Sequence, residues 1–325
     1  MTFLALVLAF PQSVSAVNLE AHVKFLASDE LEGRNTPSAG LDKAAAYIAE
    51  QFKAIGLEPG VKDSYFQVTD FTNRRTSTTA KVSNVIGVLR GTDPVLRDTY
   101  IIVTGHYDHL GMSTAEGEGD KIFNGANDDA SGVAGVIESA RALVKAKPKR
   151  SVIFMTVYGE EKGLVGSTYY CKNPVFPLKQ TIANLNLEQI GRTDDNEGPR
   201  VDAFNLTGFD FTDLPRFLGP AATASGVKIE KHPSFSDAFF DRSDNRAFAL
   251  AGIPSGTIST CYMFPDYHKV TDHWDKLHYA NMVKVVNGII GGVLAIANST
   301  EPVKWIESEK TKRYLDAYKT LMGGK

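Results

Sequence analysis

Five short stretches hold the residues best suited to chemistry. "GHYDHLG" (105–111) places His106, Asp108 and His109 within four positions at the end of an apolar run. His106-x-Asp108 suits a metal ligand with the carboxylate that orients it, because a ligating imidazole donates its second N–H to an acceptor. It also suits a plain polar turn, with His109 facing solvent. "NGANDDASG" (124–132) sets Asp128 and Asp129 just before a helix. Asp129 or Ser131 can cap free backbone N–H groups there, which leaves Asp128 without a capping duty. "YGEEKGLVGS" (158–167) puts Glu160 beside Glu161 after another apolar run. Like charges forced together raise each other's pKa, and a cation between them removes that penalty. "NLEQIGR" (186–192) adds Glu188, and "FPDYHKVTDHWDKL" (264–277) adds Tyr267 and His268. Histidine and carboxylate ligands without cysteine fit a catalytic zinc site that keeps an open position. A carboxylate shared by two ions holds them roughly 3.5–4 Å apart.

The elements that must carry these residues alternate. Residues 81–91 and 99–105 read as strands, 131–147 as an amphipathic helix, and 151–159 as a buried central strand. Residues 181–191 form a further strand candidate, and 41–60 a helix closed by Gly56. Two more helices are expected in the tail. This rhythm predicts a single-domain α/β/α sandwich, with a central mixed, mostly parallel sheet flanked by helices. Ligands in such sheets sit beyond the carboxyl ends of the strands. His106, Glu160, Glu161 and Glu188 all follow strand ends, so they are expected to converge.

The order His106-x-Asp108, Gly125-Ala126-Asn127-Asp128, Glu160-Glu161, "NLEQIGR" and Tyr267-His268 resembles the co-catalytic two-zinc metallopeptidases of the bacterial leucyl aminopeptidase type. That family also includes the transferrin-receptor and glutamate-carboxypeptidase ectodomains and glutaminyl cyclase. The resemblance implies two zinc ions per chain, with Asp128 bridging them. His106 and Glu188 would complete one ion, Glu161 and His268 the other, and Asp108 would orient His106. It further implies a cis peptide at Asp128–Asp129, Glu160 as general base toward the attacking water, and Tyr267 as hydrogen-bond donor to the oxyanion. Arg242 matches a position near substrate in some relatives; an ordinary salt bridge to Asp241 or Asp244 explains it equally well. The alternative for Tyr267 is a packed surface aromatic. The sequence departs from the family pattern at Glu188, where an aspartate is usual. His273 and His278 lack ligand spacing and are expected at the surface or in the core.

The implied activity is that of an aminopeptidase releasing N-terminal residues from peptides. A carboxypeptidase, a dipeptidase, a glutaminyl-cyclase-like enzyme and a non-catalytic receptor-like protein are the alternatives. Bulk properties are ordinary for a soluble globular protein: of 325 residues, 43% are hydrophobic and 22% charged, and the net charge of -3 points to neither nucleic acid nor a membrane surface. Two cysteines, Cys171 and Cys261, exclude a disulfide framework and a thiolate cluster; they are either one bridge or two free thiols. Residues 1–16 read as a secretory signal ending in Ser13-Val14-Ser15-Ala16, or else as the first element of the fold. The first reading implies export, to the periplasm or beyond, with a peptidase domain over 17–325. Neither the N-terminal apolar run nor any later segment is expected to span a bilayer.

Overall fold

The computed structural model describes residues 14–73, 77–116 and 118–323; the apolar run assigned to a secretory signal lies outside them through residue 13. Nine strands form one sheet: β1 (Glu58–Pro59), β2 (Phe66–Thr72), β3 (Thr79–Leu89), β4 (Tyr100–His106), β5 (Ser151–Val157), β6 (Thr181–Leu187), β7 (Ala203–Leu206), β8 (Lys228–Glu230) and β9 (Ser255–Ser259). Their order is β1-β3-β5-β4-β6-β9-β7-β8, with β2 also on β3. The inner four, β5, β4, β6 and β9, are mutually parallel. β3 and β7 join them antiparallel. The sheet is therefore mixed and mostly parallel at its centre, as expected.

Every residue of β4 and β5 is buried, which explains their unbroken apolar runs: both faces are covered. Ile101 and Val103 point into the larger core, built with α1 (Ala16–Leu26), α2 (Ala39–Ile55), α3 (Gly132–Ala146), α5 (Leu214–Ala224) and α7 (Tyr279–Asn298). Tyr100 and Ile102 point the other way, toward Tyr170 of α4 (Val165–Lys172) and Phe248 of α6 (Asn245–Leu250). Full burial of each such aliphatic side chain contributes roughly 1.5–3 kcal/mol. The tail supplies α7 and α8 (Lys312–Leu321).

Three local features differ from expectation or refine it. Helix α2 ends at Gly56, whose φ of 90° forms the left-handed cap. Helix α7 is long and apolar enough by length and composition to cross a bilayer, which corrects the expectation that no later segment qualifies. Yet 72% of its most apolar window is buried inside the fold, as in a core helix. Helix α1 was not foreseen; Ser15 caps it by accepting from the Asn18 N–H, and the Val14 N–H donates to Asn287 Oδ1 at 3.3 Å. Cys171 and Cys261 are both free.

Candidate metal centre

The carboxyl ends of β4, β5 and β6 lie side by side, paired His106 to Val157 and Thr104 to Asn186. His106 is the last residue of β4, Glu188 follows β6 directly, and Glu160 and Glu161 open the loop after β5. Asp128 reaches them from the turn before α3. Its two oxygens face different imidazoles: His106 Nε2 lies 3.1 Å from Oδ1, and His268 Nε2 lies 3.1 Å from Oδ2. His268 Nε2 is also 3.4 Å from Glu161 Oε1. Potential ligand atoms of His106, Asp128 and Glu188 all lie within 4.8 Å of one another, as do those of His109, Asp128 and Glu161. The other four residues proposed as ligands from sequence are thus gathered around the carboxylate of Asp128.

The donors fit divalent-metal binding. His106 Nε2 and Glu161 Oε1 are buried and lack hydrogen-bond partners, although such atoms normally have one. The electrostatics agree. Burial pushes Glu188 up to about 7 and lifts Glu160 well above the ordinary glutamate range, with neighbouring carboxylates adding to the effect. Burial likewise raises Asp244 to about 6. Asp128 moves the other way: against burial, His106 and His268 hold it far below the usual range. Glu161 is held at about 2 by His109 and His268, again against burial, while His268 rises to about 10 beside Asp128 and Glu161. This cluster takes up positive charge wherever it can, as protons on imidazole or on carboxylate. A divalent cation competes for the same places.

Neighbouring residues hold the ligands in position. The Asp128–Asp129 peptide is cis, as the resemblance implies. Asp129 caps α3 by accepting from Gly132 N at 2.9 Å, and it also accepts from Gln189 N at 3.1 Å and His106 N at 3.2 Å. One carboxylate therefore fastens three ligand-bearing segments. Asp272 accepts from Asn127 N and Asp128 N at 3.0 and 3.2 Å. Arg34 is fully buried and donates to the carbonyls of Tyr107, Asn124 and Gly125, tying two of these turns together. Asp108 stands against the His106 imidazole with two of its groups. Its carbonyl, at 3.1 Å, is the closer partner of His106 Nδ1, while its carboxylate stands 3.7 Å away. That carboxylate accepts instead from Glu160 N and Thr36 Oγ1, both at 3.1 Å. His268, at φ 55°, and Gln189, at φ 54°, have left-handed backbone, which is uncommon outside glycine and concentrates at functional sites.

A cavity of about 470 Å³ opens onto the ligands, within the usual range for small-ligand sites. Glu160 lines it, as do Tyr267 and Arg242; Phe235, Phe239, Tyr262 and Met263 form an apolar wall. Tyr267 stacks on His268 with ring centroids 3.9 Å apart. Burial and the nearby carboxylates hold its hydroxyl above the ordinary tyrosine range, so it remains a donor. Arg242 is exposed and lies over the Phe239 ring. His273 is half-buried near Asp120, and the exposed His278 caps α7, so both stand apart from the cluster. His109 corrects the expectation of a solvent-facing residue: it is completely buried. Asp129 fills the capping duty read from the sequence, whereas Asp272, Arg34 and the burial of His109 are what sequence reasoning missed. Asp272 carried one signal, a carboxylate four positions after His268.

Comparison with known proteins identifies the family and the fold. The profile of peptidase family M28 matches residues 84–292. A "Probable zinc metalloprotease" of Pyrenophora teres f. teres is 33% identical over 214 residues, covering 62% of this chain and 42% of that protein. The chain spans less than half the length of the first curated relatives it matches. Among solved structures, an aminopeptidase from Aneurinibacillus sp. strain AM-1 superposes with a TM-score of 0.69 at 19% identity, covering 90% of this chain and 96% of that one. A glutaminyl cyclase from Bacteroides thetaiotaomicron gives 0.68 at 18%, covering 87% and 98%. At these identities the likeness speaks for the fold alone. The profile match covers well over half of the sequence and includes all five proposed ligands, and the chain belongs to peptidase family M28.

Proposed function

We propose that this chain is a zinc-dependent aminopeptidase that binds two zinc ions through His106, Asp128, Glu161, Glu188 and His268. The observation that carries the reading is Asp128, whose two oxygens face separate groups of donors while Glu160 lines the adjoining cavity. Zinc at such a site supplies Lewis acidity toward the scissile carbonyl and toward water. Glu160, raised by burial, takes the proton from the attacking water and passes it to the leaving amine. Tyr267 donates its hydroxyl hydrogen bond to the oxyanion. The apolar wall of Phe235, Phe239, Tyr262 and Met263 receives the side chain of the terminal residue. The carboxylates of Glu160 and Glu188 hold its free amine. Arg242, at the mouth of the cavity, contacts the peptide beyond the cleaved bond. Export through the signal read at residues 1–16, with the peptidase domain over 17–325, belongs to the same proposal.

Glu160→Gln tests the assignment: the variant keeps two zinc ions while kcat falls by about 10²–10⁴-fold. Near-normal turnover would remove Glu160 from the role of base. Acetylation of the substrate amine abolishes cleavage if the enzyme is an aminopeptidase, whereas brisk hydrolysis of the blocked peptide points to a carboxypeptidase or endopeptidase. A second reading is a glutaminyl-cyclase-like acyltransferase acting on N-terminal glutamine, the activity of one protein that shares the fold. Release of ammonia from a glutaminyl peptide, without peptide-bond cleavage, would favour it.

A further inference from the structure

His109 is the buried group for which the five-ligand scheme has no use. Its side chain has no solvent exposure, and neither ring nitrogen has a hydrogen-bond partner. A buried polar group left in that condition loses about 1–3 kcal/mol. Nδ1 nevertheless lies 2.9 Å from Glu161 Oε1, an oxygen that also lacks a partner. Two partnerless atoms at that separation are not aligned as donor and acceptor, which is the arrangement expected when both face a third atom.

The ring is also held in place. The His109 N–H donates to the Arg34 carbonyl, and Asn35 pairs with His109 as an isolated bridge. The ring packs against Gly125, where a Cβ would fall 2.5 Å from His109 Cδ2 and 2.6 Å from Cγ. Gly125 also has a φ of 58°, so a side chain there would meet both backbone strain and the imidazole. On its other side the ring meets His268 at an interplanar angle of 70°, with centroids 5.7 Å apart. Arg34, Asn35 and Gly125 thus aim His109 at the space shared by Glu161, His268 and Asp128.

We propose that His109 is a ligand of the ion held by Glu161 and His268, an inference that rests on the two-zinc reading. That ion then has two imidazole nitrogens and two carboxylate oxygens from the protein, a set within the zinc repertoire. The ion on the other side of Asp128 keeps one imidazole, from His106.

The test uses the full chain, zinc titrated against a chromophoric chelator, and the cobalt(II)-loaded form. Wild type is expected to hold two equivalents. His109→Ala loses one of them at a chelator concentration that wild type withstands, with affinity for that ion down at least about 10–100-fold. The visible spectrum of its cobalt form changes, and added imidazole restores the missing equivalent. Independently of any variant, the cobalt-loaded wild type gives three hyperfine-shifted imidazole N–H signals, from His106, His109 and His268. Two signals, or a His109→Ala variant with unchanged affinities and an unchanged cobalt spectrum, would overturn the role of His109 and leave the two-zinc reading standing. A wild-type chain that binds no zinc would overturn both.

Discussion

The His106 side of the centre is built from strand ends, and the His268 side from loops. His106 and Glu188 leave adjacent parallel strands whose backbones are hydrogen-bonded up to Thr104 and Asn186. Their positions are set by the sheet. Glu161 sits in the turn after β5, and His268 lies on the long connection between β9 and α7, with 35% of its side chain exposed. That connection is held by side chains instead: Asp266 meets Arg192 at 2.8 Å and Lys276 at 2.9 Å. A ligand on a loop is less constrained than one on a strand. On the proposed reading the loop side has an additional buried imidazole, His109. Precision comes from the sheet on one side and from surplus donors on the other.

The most severe way to break this comparison is to remove the residue common to both sides. Asp128→Asn is expected to lose both zinc equivalents and all detectable peptidase activity. Retention of one equivalent, measured by elemental analysis after dialysis, would mean that the two sides are not joined through Asp128. The next largest effect separates them. Glu188→Gln leaves only His106 and Asp128 on its side, so one equivalent is lost outright. His268→Gln leaves His109, Glu161 and Asp128, so two equivalents stay bound with affinity for one reduced by about 10–100-fold. Equal losses from the two variants would erase the distinction drawn here.

A smaller, pH-dependent effect sharpens it further. Glu188 at about 7, and Asp244 and Asp272 at about 6, lie above the unfolded carboxyl value of about 4. Between those limits the unfolded chain has released protons that the folded chain still holds, so the chelated protein loses stability as pH rises from about 4 to 7. His268, at about 10 against an unfolded value near 6.5, acts in the same direction at higher pH. Zinc replaces the proton on Glu188, so the zinc-induced rise in Tm is larger at pH 7 than at pH 5. A rise independent of pH would show that the Glu188 proton does not compete with the ion.

The same contrast explains how much could be read from the sequence. His106, Glu160, Glu161 and Glu188 were legible because buried parallel strands announce their own ends, and Asp128 because nothing local needed it. The order of motifs conveyed the cis peptide and the place of His268. His109 was not legible, because its ring is placed by contacts with Arg34, Asn35 and Gly125, which its own local sequence does not announce. Asp108 shows the same limit at finer scale: its position was foreseen, but not that its carbonyl lies nearer the His106 imidazole than its carboxylate does. The apolar wall escaped for another reason. β7, β8 and β9 are three to five residues long, too short for a periodic signal, and Phe235 and Phe239 lie in the connection between β8 and α6.

The centre itself is tested most directly by anomalous diffraction at the zinc edge, on crystals grown without chelator. Two peaks are expected within coordination distance of Asp128, one on each of its oxygens, the first completed by His106 and Glu188 and the second by Glu161 and His268. A single peak, or two peaks that do not share Asp128, would contradict the account.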